Sequence, residues 1–242
     1  MANFKISYRE DTALFQNLWV KSWLAVFVVA MVVLPFLMSR YQLSILNEMG
    51  IAVIGALGLN LLTGYTGQIS LGHGAFVAIG AYTTGLLAGM LGVPFVISLP
   101  LSGLMAALLG MIVGIPSLRL KGLYLALGTL AFGFIVEYVL FHWDLTKGDL
   151  GMAVPKIGAG GFLIETERQY FFLIMFFAVL ATLVAKNIAR TKIGRCFVAI
   201  RDRDIAAEAM GISLAKYKIM AFAISAFYAG VAGCLMAHYQ KW

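Results

Sequence analysis

The feature that most constrains this chain is a series of apolar runs, each about 18 residues or longer, that carry almost no charge. A helix in a water-soluble domain keeps a polar stripe because only one of its faces is buried, and these runs have none. Composition agrees: of 242 residues, 62% are hydrophobic and 12% charged, with a mean hydropathy of +0.92. Such a chain is an integral membrane protein. Lipid offers no partner to backbone N–H and C=O groups, so runs of this kind are read as helices and the expected fold is an all-α, polytopic transmembrane helix bundle.

Breakers between the runs divide the chain into seven expected spans, at about 22–39, 43–62, 75–93, 95–115, 123–141, 170–187 and 217–238. The third and fourth are separated only by "GVP", which predicts a tight helical hairpin. Residues 1–21 contain Glu10 and Asp11 and no short apolar core ending in a cleavage site, so they read as a cytoplasmic N-terminal tail and not as a signal peptide. Residues 22–242 form the transmembrane domain. With the N-terminus inside, thirteen Lys and Arg fall on inside segments against five outside, a positive-inside bias that orients the bundle. The outer segment 142–169 also holds Asp144, Asp149, Glu165 and Glu167. Small residues at helical spacing, in "GLLAG" (85–89) and "GMIVG" (110–114), predict close helix packing.

One stretch interrupts the pattern. "GYTGQISLGHGAF", residues 64–76, has glycine at 64, 67, 72 and 74, and each glycine in a helix costs up to about 1 kcal/mol relative to alanine. The chain is therefore expected to unwind or turn here. It could be an ordinary connection between the second and third spans. It could equally be a broken or re-entrant helix, because unwound backbone at membrane depth is tolerated only in protein or beside a polar pathway. Two observations favour the second reading: the stretch contains no Lys or Arg, and it enters the next span without a charged boundary. Gly64, Tyr65, Thr66, Gly67, Gln68, Ser70, Gly72, His73 and Gly74 are the candidates for a solute pathway, offering hydrogen-bonding groups without fixed charge. No lysine follows a glycine as a phosphate-binding loop requires, and the glycine–any–serine–any–glycine pattern of a nucleophile elbow is absent.

The net charge of +7 is concentrated in residues 186–218, with eight basic and three acidic side chains around an apolar thread. Ile205 with Ala209, and Ala206 beside Met210, make one apolar helical face, while Arg201, Asp204 and Glu208 point elsewhere and Gly211 suits the position just past a helix end. Such a helix could lie on anionic headgroups. The abundance of alanine in "DIAAEAMG" favours docking against a protein instead, since a lipid-facing helix carries bulkier apolar groups.

Several classes are excluded. The basic residues are not interleaved with aromatics along one face, which argues against nucleic acid. His73, His142 and His238 fall on different expected segments without ligand spacing, so no metal or other cofactor is expected. Cys196 and Cys234 read as unpaired thiols. Glu48 and Glu137 are the acids inside expected spans; both lie near helix ends with no basic partner, which is not the arrangement of a proton relay.

Three blocks, "LNLLTGYTGQISLGHGAFVAIGAYTTGLL" (59–87), "LYLALGTLAFGFIVEYVL" (123–140) and "RTKIGRCFVAIRDRDIAAEAMGISLAKYKIMAFAISAFYAGVAGCLMAHY" (190–239), resemble the permease subunits of bacterial branched-chain amino-acid ABC importers, the M-type permease in particular. The resemblance implies a transport subunit of the inner membrane and not an enzyme. Its implied partners are a second related permease, two cytoplasmic ATPases and a periplasmic substrate-binding protein. It also implies that the 64–74 stretch flanks the solute and that Arg201, Asp204, Ile205, Ala206, Ala207, Glu208, Ala209 and Gly211 belong to a cytoplasmic coupling helix. Urea or short amides carried by the same machinery, a stand-alone secondary carrier and a non-transporting scaffold are the alternatives. The chain departs from the family pattern at "TKGDLGM" (146–152), where a "TGG" is usual, and at Phe134, where many relatives have an acid. Relatives continue with further spans beyond the equivalent of "LMAHY", so a truncated or shortened subunit is expected.

Overall fold

The computed structural model describes residues 18–143, 146, 152–159 and 162–240. The expected N-terminal tail, and most of "TKGDLGM", lie outside the described residues. Nine α-helices are described: α1 (Leu18–Leu37), α2 (Arg40–Leu59), α3 (His73–Thr84), α4 (Phe95–Ser117), α5 (Leu123–His142), α6 (Glu167–Arg190), α7 (Lys192–Asp202), α8 (Asp204–Ala209) and α9 (Leu214–Gln240). Two helices end in π-helical turns, α2 at Asn60–Tyr65 and α3 at Gly85–Met90. Strands β1 (Gly158–Ala159) and β2 (Phe162–Leu163) form a minimal antiparallel hairpin between α5 and α6. The fold is an all-α bundle.

Among the described residues, five helices are long and apolar enough to cross a membrane: α2 with its π-turn (Arg40–Tyr65), α4, α5, α6 and α9. They coincide with five of the seven expected spans. The other two are shorter. In α1 the apolar portion is Ala25–Leu37, and the third expected span is the twelve-residue α3 followed by six residues of π-helix. This helix begins at His73, two residues before the expected start, and is short because its α-helical geometry gives way to the π-turn at Gly85.

The chain divides into two compact units, Met1–Leu43 and Ser44–Trp242. The first contains α1, whose apolar side chains, among them Trp23, Val29 and Phe36, are exposed, and which carries Pro35 near its end. The second is organised around α9. Ala221, Phe222, Ala226, Ala229 and Cys234 on that helix are completely buried, and small residues let its neighbours approach backbone to backbone. A methyl group placed on Gly230 would come within 2.7 Å of Ala106 Cβ and 3.0 Å of Gly103 Cα; one on Gly110 would come within 2.5 Å of Ala226 Cβ. "GMIVG" therefore packs α4 on α9, as expected. "GLLAG" does something different: Gly85 and Gly89 abut Met152 and Ala153 of the α5–α6 connection. That connection is seated by buried Met152, Val154 and Ile157, and by Pro155 O, which meets His238 Nδ1 at 3.1 Å. A reciprocal capping box between Thr166 and Gln169 then starts α6.

Candidate functional site: a buried helix break and the basic segment beneath it

The interruption expected at 64–74 is present. Helix α2 widens into its π-turn, and the backbone leaves helical geometry between Thr66 and His73. Gly67 takes φ +71°, a left-handed conformation that glycine adopts without steric cost. The break satisfies much of its own backbone: Gly67 N donates to Thr63 O, Gln68 N donates to Leu62 O, and the hydroxyls of Thr66 and Thr63 donate to Leu61 O and Gln68 O. Helix α5 adds one more partner. Thr129 Oγ1 accepts from Leu71 N at 3.0 Å, and Gly72 lies so close to Thr129 O that no side chain fits between them.

Thr66, Gln68, Ser70 and Gly72 are buried, Gly64 and Tyr65 half-buried, and Gly67 exposed. His73 and Gly74 open α3, with His73 Nε2 2.9 Å from Gly55 O on α2 and Nδ1 3.5 Å from Ser225 Oγ on α9. Three helices thus hold one imidazole. Along the unwound stretch alternate residues, Thr66, Gln68, Ser70 and Gly72, are buried against protein while Gly67, Ile69 and Leu71 are exposed; contact with protein is what lets such backbone survive at membrane depth. Among the described residues, both amide atoms of Gln68 and the hydroxyl of Ser70 are buried without a hydrogen-bond partner. Buried polar groups are ordinarily paired, so these unpaired atoms mark the break as more than a turn.

The basic segment folds as α7 and α8, hinged at extended Arg203 (φ −154°, ψ 99°). It reaches the break directly. Arg201 Nη1 donates to Gly64 O at 3.0 Å, and the Arg201 side chain crosses Gly67, where a methyl group would lie 2.9 Å from Arg201 Cγ. Two groups of candidates, 137 positions apart, therefore meet. Asp204 is tied to the α4–α5 connection by Lys121 at 2.5 Å, and that hydrogen bond holds the Asp204 carboxyl below the usual carboxylate range.

Helix α8 ends in a Schellman arrangement: Ile212 N donates to Ala207 O, Gly211 N donates to Glu208 O, and Gly211 has φ +83°. Ala207 is buried, whereas Ala206, Glu208 and Ala209 are exposed and Ile205 and Met210 are 79% and 85% exposed. The expected apolar face thus points away from the protein. Single exposed apolar residues are ordinary, but two on one short helix anchored by an ion pair make a presented surface.

Other polar groupings were not legible as units in the sequence. Glu167 Oε2 accepts from Tyr239 OH at 2.8 Å and from Asn47 Nδ2 at 3.1 Å, joining α2, α6 and α9 at the end of the bundle away from the break. Lys218, on the first turns of α9, is buried. Glu48 and Glu137 are exposed, and His142 and His238 lie on α5 and α9, apart from His73.

Fold and site together define a multi-pass membrane protein whose second helix is interrupted inside the protein and touched there by a basic segment. The chain belongs to the family described as branched-chain amino acid transport system / permease component, whose model matches residues 41–241. It is 37% identical to the high-affinity branched-chain amino acid transport system permease protein LivM of Escherichia coli (strain K12), over 88% of this chain and 57% of that protein. It is 35% identical to the LivM of Salmonella typhimurium, over 91% of this chain and 58% of that protein. Identity to the autoinducer 2 import system permease protein LsrC of Salmonella paratyphi A is 28%, over 98% of this chain and 65% of that protein. The chain therefore spans somewhat more than half the length of the LivM proteins it matches. No solved structure matches it.

Proposed function

We propose that this chain is a permease subunit of an ABC importer that moves branched-chain or other hydrophobic amino acids across the inner membrane, with ATP hydrolysis carried out by partner subunits. The observation that carries the reading is the Arg201–Gly64 contact, which joins a presented segment to a buried break in a membrane helix. Inside the membrane the break supplies flexible, uncharged polar backbone. On the cytoplasmic side, α8 presents Ile205 and Met210 to an ATPase groove, and its displacement by the nucleotide cycle is passed through Arg201 to Gly64 and Gly67. The partners are two ATPases, a second related permease and a periplasmic binding protein. The positive-inside charge bias supports a cytoplasmic N-terminus and a cytoplasmic segment 186–218. Higher identity to LivM than to LsrC supports amino acids over other solutes.

The test is to replace Glu208→Trp and Gly211→Leu together in the assembled transporter. A left-handed residue at 211 with a side chain costs about 1 kcal/mol and unseats the cap. Uptake of leucine should fall by an order of magnitude or more while ATP hydrolysis persists. Unchanged coupling of hydrolysis to uptake would remove α8 from this role.

A further inference from the structure

Beneath the break, between it and the Arg201 link, lies a cavity of about 290 Å³ to which no ligand has been assigned above. It is lined by Gln68 on the break, Lys218 on α9, Leu125 on α5 and Ile200 on α7, with Arg203 and the Lys121–Asp204 pair at its rim. Lys218 is 7% exposed and, among the described residues, makes neither an ion pair nor a hydrogen bond. Gln68 is 5% exposed, with both amide atoms unpartnered. Four cations, Lys121, Arg201, Arg203 and Lys218, stand at this cavity against two carboxylates: Arg201 and Lys121 pair with Asp202 and Asp204, and Lys218 adds to the positive field on Asp204, so positive charge is in excess. Uncompensated positive charge lining a cavity is unfavourable, and an orphaned buried amide is costly; an anion between Lys218 and Gln68 relieves both. Leu125 and Ile200 add a small apolar wall.

We propose that this cavity binds a small carboxylate: its oxygens take hydrogen bonds from Lys218 Nζ and Gln68 Nε2, and its apolar tail rests on Leu125 and Ile200. Resting on the import reading, this makes the cavity the last station of the solute before the cytoplasm. The carboxylate chemistry itself does not depend on that reading, because a free organic acid satisfies the same groups.

The test is isothermal titration of the full chain, purified with its bound subunits, using isovalerate, leucine, isoamylamine and inorganic phosphate as probes. Isovalerate and leucine should bind; isoamylamine, which has the skeleton without the carboxylate, should not. Lys218→Gln should weaken isovalerate about tenfold or more, the value of a charged hydrogen bond, and Lys218→Arg should largely keep it. Gln68→Leu provides an independent variant and should also weaken it. Leucine binding with these dependences assigns the cavity to the solute; isovalerate binding without leucine assigns it to free organic acids. Equal binding of phosphate, binding of isoamylamine, or indifference to both Lys218→Gln and Gln68→Leu overturns the proposal. ATP-driven leucine uptake by the same preparation tests the import reading separately, so the two can fail independently.

Discussion

Gly67 combines a left-handed backbone with the Arg201 side chain lying across its α-carbon, so it should resist substitution for two independent reasons. Gly74, seven positions on, has open space where a methyl group would go and ordinary helical backbone. Gly67→Ala should therefore destabilise the detergent-solubilised protein by about 1 kcal/mol or more, and Gly74→Ala should be neutral or slightly stabilising. Equal midpoints for the two variants in thermal unfolding would contradict the assigned geometry. Asp204 supplies a pH-dependent residue. Its carboxyl is held below its ordinary range by Lys121, so its contribution is complete above the unfolded-state value and is lost as pH falls through the lowered folded value. Lys121 is 67% exposed, and solvent screening keeps the contribution to about 1 kcal/mol or less. Hydrogen exchange of the α8 amides, corrected for intrinsic rates, should show protection at neutral pH that weakens in acid, and Lys121→Gln should remove that difference. A pH response unchanged in Lys121→Gln would refute the role of the pair. None of this pairing is legible in the sequence, where Lys121 reads only as a basic residue of an inside segment and Asp204 as a polar position on the expected coupling helix. Pairing across 83 positions depends on the fold.

Elements were far more legible. Apolar runs of spanning length declared α2, α4, α5, α6 and α9 because lipid forbids a polar stripe and backbone satisfaction forces helix. The break was legible because four glycines in eleven residues penalise helix locally. The π-turns ending α2 and α3 were not, since they arise where helix packing and the approaching break displace the usual hydrogen bonds, and no residue type announces them. Helix α8 was read with the right apolar residues, but only the structure turns Ala207 inward and Ile205 and Met210 outward. The same physics gives α9 its sharpest prediction. Gly230 packs against Ala106 and Gly103 with no room for a side chain, so Gly230→Leu overpacks the crossing and should cost about 1–3 kcal/mol or prevent folding. The yield of monodisperse protein reads this out, and a wild-type yield with an unchanged unfolding midpoint would show that α3, α4 and α9 do not cross there.

At the scale of the whole molecule, the account rests on the contact between a buried break and a presented basic segment, set in a chain of the permease family. A stand-alone carrier coupled to an ion gradient needs a titratable pair inside the bilayer; Glu48 and Glu137 are exposed and lie on separate helices. A transport subunit driven from outside needs instead a surface for its motor and a mechanical link to its pathway, which are the roles proposed for α8 and Arg201. The most direct measurement is affinity purification of the chain from native membranes in mild detergent, with its companions identified by mass spectrometry. The account predicts a nucleotide-binding ATPase and a second permease, with the ATPase lost when Ile205 and Met210 are replaced by Asp. Recovery of the chain alone, catalysing ATP-independent solute exchange after reconstitution, would contradict it.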